Sequence, residues 1–457
     1  MIQAAAGHYE RSAAAGPVTP HRMKRDARGL IVSTDSDAAI VGIDRFTADF
    51  MAARTEASAL FDLAASHEDC GLIQLYAAAM WIYSQSAEDI TAHAFPFIAR
   101  AARQRARLDE RELMLLDMIE GWAVNDFQRA ITLAECIVER WPRDIIAAKL
   151  GEFFFFQAPD YQRHLRFIAG IAAAHPASSS YDAMHAFALA LAGHAADAER
   201  VAEKGIALDP STPWAHHALG HVYLAQGRLA EGRAAFERFA PSWAAHMRVL
   251  QCHNAWHLAL FYIFELQLDG ALSLCRERIW GVQPESVNEQ IDAVALLWRL
   301  DLAGHPTDVL WPAIAAAVAP RAGEQVFPFL NAHSIYALAR GGHSDQARAA
   351  SAAFGAYAER QSGGYRRVWR DIGIPLVEGC RAFAEGEYTR CATLLEPIAG
   401  DLCLAGGSDA QNDLFAQTLL VALIESGRRS DAAALLAHRL RGRRPTALEA
   451  RWIERVA

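Results

Sequence analysis

Two His-x-x-x-His pairs carry the most concentrated chemistry in this 457-residue chain. His217 and His221 lie in W-A-H-H-A-L-G-H-V-Y, and His253 and His257 in C-H-N-A-W-H-L-A-L-F-Y. Residues four apart share one face of an α-helix, with Cβ atoms about 5–6 Å apart. Two such pairs on neighbouring helices would therefore bring four imidazoles to one point. Neutral imidazoles in that arrangement suit a divalent transition metal such as zinc, or iron, copper or nickel. Asp292 or Asp413 could stand behind them, and Asn254 or Asp292 could take the ring nitrogen turned away from an ion. No H-E-x-x-H or Glu-x-x-His pattern accompanies the pairs. The same four residues also suit acid–base catalysis without a metal, because imidazole titrates near neutrality and like-charged neighbours keep most of a cluster neutral. A plainer reading has the histidines bonding one another, carbonyls and water. Cys252 adjoins His253, but adjacent helical side chains diverge by about 100°, which separates the two.

Composition sets the outer bounds. Apolar residues make up 53% and charged residues 21%, and the mean hydropathy is +0.04, as for a globular chain with a large core. A net charge of −9 excludes a general nucleic-acid binder, since no positive field collects phosphates. Arg439, Arg441, Arg443 and Arg444 read as a solvated helix face. Seven scattered cysteines without C-x-x-C indicate reduced thiols. Residues 1–30 lack the apolar stretch of a secretory signal, and no apolar run reaches the 18–20 residues of a membrane span. The expected location is the cytoplasm, with no membrane or nucleic-acid partner.

The elements that must position the histidines are helices. Residues 1–28 are Ala-, Gly- and Arg-rich without periodicity and read as a flexible leader. A short entry follows at 30–34, with Ser33, Thr34, Asp35 or Ser36 available as a first helix cap. From Ala38 onward apolar residues recur at i, i+3, i+4 and i+7, and no sustained period-2 alternation appears. Pro142, Pro176 and Pro210 are 34 residues apart, and Gly193 and Gly227 repeat that interval. Thirty-four is the period of the tetratricopeptide repeat, a helix–turn–helix unit. The expected fold is all-α: a tetratricopeptide-like α-solenoid, a superhelix of antiparallel helix pairs with a concave groove. One unit cannot bury its apolar face alone, so residues 29–457 are expected to form a single domain.

In repeats of this type helix A lines the concave surface. Setting L-G-x-x-Y (219–223) at repeat positions 7, 8 and 11 puts His217 at 5 and His221 at 9. The next unit, registered on Ala259 and Tyr262, puts His253 at 2 and His257 at 6. Adjacent A helices pack at roughly 8–10 Å, so the four face one concavity. His333, at position 6 of a later A helix, is expected nearby, and Ser179, Ser180 and Tyr181 open a preceding A helix toward the same space. G-G-S-D-A-Q-N-D (406–413) reads as a helix cap at Ser408 or Asp409, with Asp413 one turn further in and able to face the groove.

W-A-H-H-x-x-x-H, C-H-N-x-W-H and G-G-S-D-A-Q-N-D together resemble the tetratricopeptide-repeat protein 38 family, over most of the chain from about Leu30 to the end. The resemblance implies a compact tetratricopeptide superhelix. It supplies matching positions at Trp214, His217, His221, His253, Asn254, Trp256, His257, Asp292, His333, Gln411 and Asp413, but no reaction. Asn331 stands where the pattern would place an acidic residue, and His216 is particular to this chain. Two functions compete. In the first, the groove binds a small molecule or peptide through Trp214, Tyr181, the histidines, Asn254, Asp292 and Asp413. In the second, His217, His221, His253 and His257 do chemistry there, with or without metal. A pure scaffold leaves the concentration of imidazoles without a purpose. A homodimer is the oligomer considered.

Overall fold

The computed structural model describes residues 23–441 and 443–457. It is 75% helical, and the sheet among the described residues is one antiparallel pair, β1 (Lys24–Arg25) with β2 (Ile31–Val32). The all-α expectation holds. The hairpin lies partly inside the stretch read as a leader, and it is ordered by a polar turn that periodicity does not register. The Asp26 carboxylate accepts the Arg28 and Leu30 N–H groups at 2.9 and 2.8 Å, and Gly29 adopts φ +79°. The rest of that stretch, residues 1–22, lies outside the described residues. Ser36 caps the first long helix by accepting the Ala39 N–H at 3.1 Å.

The 34-residue prolines mark successive helix ends. Pro142 and Pro210 fall two residues past Phe127–Arg140 and Ala195–Leu208, and Pro176 two residues past the short turn Ala172–Ala174. The turns between paired helices share one device. Gly193, Gly227, Gly342, Gly386 and Gly427 have φ between +69° and +87°. At Gly227 the glycine N–H bonds back to Leu224 O (3.1 Å) and the next N–H, of Arg228, to Tyr223 O (2.9 Å). This 5→2 and 6→1 pairing satisfies two carbonyls that a helix end would otherwise orphan. The same bonds recur at Leu266, where a leucine holds φ +59°.

The chain divides into two compact units. The first comprises the described residues up to Ala188 with Val201–Ala215 and Ala245–Met247; the second comprises Leu189–Arg200, His216–Ala244 and Arg248–Ala457. In the first, Arg111 and Asp144 form a buried ion pair at 2.6 Å, and Arg111 also donates to Ile31 O at 2.8 Å, tying the hairpin to the helices. Buried Lys149 pairs with Glu152 and lies 3.3 Å from the Trp214 ring centroid.

Six helices carry or pack against the candidate residues: α1 (Pro213–Gln226), α2 (Leu229–Phe239), α3 (Arg248–Phe264), α4 (Val287–Leu302), α5 (Pro328–Arg340) and α6 (Asp409–Glu425). α3 and α4 are buried on nearly every face, so several of their polar residues end up inside. The start of α3 is fixed by a carboxylate on α4. Glu289, buried, accepts the N–H groups of Gly281, Val282 and Gln283 at 2.6, 3.0 and 3.0 Å and pairs with Arg248 at 2.8 Å. Removing one partner of a buried, hydrogen-bonded pair costs about 3–5 kcal/mol. Glu289→Ala is therefore expected to lower the unfolding free energy from urea titration by an amount in that range, with a lower midpoint, whereas the exposed Glu285→Ala changes stability by less than about 0.5 kcal/mol. Equal midpoints for the two variants would contradict this role.

Candidate functional site

α1 and α3 bring the two histidine pairs together in the second unit. Ring centroids lie 4.8 Å apart for His217–His221, 5.0 Å for His217–His253, 4.9 Å for His217–His257, 4.8 Å for His221–His257 and 5.0 Å for His253–His257. The convergence expected from the repeat register is present. It depends on Gly220, between the two α1 histidines. A Cβ there would sit 3.2 Å from His257 Nδ1 and 2.8 Å from Phe236 Cζ, so a larger residue would push both rings outward.

Carboxylates orient two of the rings. His253 Nδ1 lies 2.9 Å from Asp292 Oδ1 on α4, and His221 Nδ1 lies 2.6 Å from Asp409 Oδ1 at the start of α6. A carboxylate only accepts, so both histidines donate from Nδ1 and turn Nε2 the other way. His221 Nε2 is 3.2 Å from His217 Nε2. His257 is fully buried, and neither of its ring nitrogens has a hydrogen-bond partner. Burial, then the three neighbouring histidines and Arg299, hold its pKa well below the ordinary value, so it is neutral. Potential ligand atoms of His217, His253 and His257 all lie within 4.8 Å of one another.

Several other candidates are placed differently. Asp413 is engaged by Arg439, and by Gln417 at 2.6 Å; burial would raise its carboxyl, but Arg439 outweighs this and holds it below the usual range. The acid that reaches a histidine is Asp409, one turn earlier. The arginine run is likewise not wholly solvated, since Arg439 and Arg443 both pair with buried Glu449. His333 sits in an aromatic cage of Trp298, Phe329 and Phe415, with centroids at 5.9, 4.3 and 5.6 Å, and its Nδ1 donates to Phe329 O at 2.8 Å. It is not one of the three clustered donors. Asn254 is buried and turned about 100° from His253. Tyr181 and Trp214 belong to the first unit, where Tyr181 Oη donates to Ile168 O at 3.2 Å and Trp214 covers Lys149. His216 stacks on Phe239 at 3.8 Å and accepts from Trp243 Nε1 at 3.2 Å, a core role. Cys252 is buried, and burial followed by Asp292 pushes its thiol pKa well up, away from nucleophilic use.

One contributor escaped sequence reasoning. Arg299 on α4 is buried and donates to Ala295 O (3.2 Å), Ala410 O (2.6 Å) and Gln411 O (3.3 Å). Its guanidinium carbon lies 5.1 Å from the Trp256 ring centroid. It ties the first turn of α6, and with it Asp409, to α4. The sequence signal is weak: Arg299 stands within the apolar stretch L-L-W-R-L. At the α6 start the Gln411 side chain accepts the Ser408 N–H at 3.0 Å.

No family model matches the chain.

The buried neutral histidines make stability depend on pH. Burial holds His333 at about 3, whereas an unfolded histidine titrates near 6.5. Below about pH 6.5 the unfolded chain binds more protons than the folded one, so stability falls as pH drops toward 3. Urea unfolding at about pH 7 and about pH 5 should show this fall, and His333→Phe should reduce its slope by up to one proton per chain. An unchanged slope in the variant would contradict a neutral buried His333.

Proposed function

We propose that the chain is a tetratricopeptide-type repeat protein, akin to the tetratricopeptide-repeat protein 38 family, and that its four-histidine site binds a small polar molecule. Helix ends 34 residues apart and glycine-closed hairpins support the repeat reading. Fold alone does not settle function. The observation that carries the binding reading is the convergence of four imidazoles, two of them aimed by carboxylates. A small molecule is favoured over a peptide because His217, His221 and His257 are buried; only His253 and Asp409, with side chains 18% and 43% exposed, approach solvent.

The His221–Asp409 and His253–Asp292 pairs favour a second reading in the same place, acid–base catalysis on the bound molecule. A carboxylate behind an imidazole fixes its tautomer and stabilises its protonated form.

Thermal melts against a panel of small carboxylates, phosphates and amino acids test binding. A ligand at 100 times its Kd stabilises by about 2.7 kcal/mol, so one class should raise the wild-type Tm and leave His221→Ala unmoved. A panel without effect on the wild type, or with equal effect on both proteins, would sink the reading.

A further inference from the structure

We infer that the ligand this site is built around is a divalent transition-metal ion of the zinc class, held by the imidazoles of His217, His253 and His257. The inference rests on the small-ligand reading of the same site and names its occupant.

Donor chemistry comes first. The three candidate ligands are all imidazoles, a donor set that suits zinc, copper, nickel and iron and disfavours calcium or magnesium, which take oxygen. Geometry comes second. Ligand atoms of the three residues lie within 4.8 Å of one another, and a tetrahedron with Zn–N bonds of 2.0–2.1 Å has an edge of about 3.3 Å. Binding therefore requires the three rings to draw together by up to about 1.5 Å. Three protein ligands leave a fourth position for a small ligand.

The surroundings match a cation better than they match an apolar core. His253 donates Nδ1–H to Asp292 at 2.9 Å, the arrangement in which a carboxylate fixes the tautomer and sharpens the opposite nitrogen as a ligand. Asp409 likewise takes the Nδ1–H of His221, which is not one of the three ligands and whose Nε2 stands 3.2 Å from His217 Nε2. Asp292 and Asp409 thus place carboxylates behind two of the imidazoles. His257 is the independent mark. A fully buried imidazole with no hydrogen bond at either nitrogen leaves polar atoms unsatisfied, which is unfavourable. A metal–nitrogen bond removes that deficit at one of them.

The test uses the full chain, stripped by chelator dialysis and titrated calorimetrically with Zn²⁺, with Co²⁺ as a visible-absorbance probe of tetrahedral nitrogen coordination. Wild type should take up one ion per chain, and Co²⁺ should develop intense ligand-field bands. His253→Ala, at the least buried ligand, should keep its fold by circular dichroism and lose the high-affinity event. Asp292→Asn preserves an acceptor for the ring N–H and should weaken Zn²⁺ by about 10- to 100-fold. Wild type that binds no more Zn²⁺ than His253→Ala, or an Asp292→Asn protein of unchanged affinity, overturns the inference. If zinc fails while a panel compound still stabilises wild type selectively, only the metal falls; if neither binds, the small-ligand reading falls with it.

Discussion

The close approach of α1 and α3 at Gly220 is the constraint on which the site depends. Helices separated by ordinary side chains hold their axes roughly 8–10 Å apart, and the near end of that range needs a small residue at the crossing. Gly220 provides it, with His257 on one side of its missing Cβ and Phe236 on the other. Once His257 is admitted, helical periodicity does the rest, because His253 is one turn before it and His217 and His221 flank Gly220. The glycine that helical-repeat packing uses for close crossing is thus the residue that gathers the imidazoles.

Orientation comes from much further along the chain. Asp292 arrives on α4 and Asp409 on α6, 39 and 188 residues from the histidines they hold. Arg299 joins those two helices through carbonyls of the first α6 turn, so a single buried guanidinium fixes where Asp409 can be. Burial holds its pKa down at about 10, partly offset by Asp413, which leaves it cationic at neutral pH. Its closest bonds are to carbonyl oxygens, and its nearest acid, Asp413, is already committed to Arg439. Asp292, one of the two carboxylates that touch histidines, also acts on that arginine and raises its pKa.

Much of this was legible in the sequence wherever period alone carries the information. The 34-residue proline interval gave helix ends, the glycines gave left-handed turns, and His-x-x-x-His in register gave the convergence. Residues that act through long-range polar bonds were harder to assign. Asp409 and Asp413 are one helical turn apart and equally eligible by pattern; Arg439, 26 residues on, captures the latter. His333 has the right repeat position, but three aromatic rings and its own helix carbonyl enclose it. The β1–β2 hairpin is too short for any alternation to register, and its turn is set by one aspartate and one glycine. Glu289 looks like an ordinary charge on a helical first turn until its three backbone partners are seen.

Burial by itself does not explain the cluster, as His164 in the first unit makes clear. That histidine is also fully buried with both ring nitrogens unbonded, and burial followed by Lys149 holds it at about 3. It stacks on Phe155 at 5.3 Å and meets Phe187 edge-on at 6.2 Å, as an aromatic core residue would. Both of those ring partners are phenylalanines. The α1–α3 group differs in having several imidazoles at ring contact and carboxylates behind two of them. An apolar core gains nothing from placing acids against it, since the buried Asp292 carboxylate carries a desolvation cost that its hydrogen bond only partly offsets. A site that must hold positive charge, on a ligand or on the imidazoles themselves, recovers that cost when occupied. The acids, more than the histidines, separate this cluster from ordinary packing.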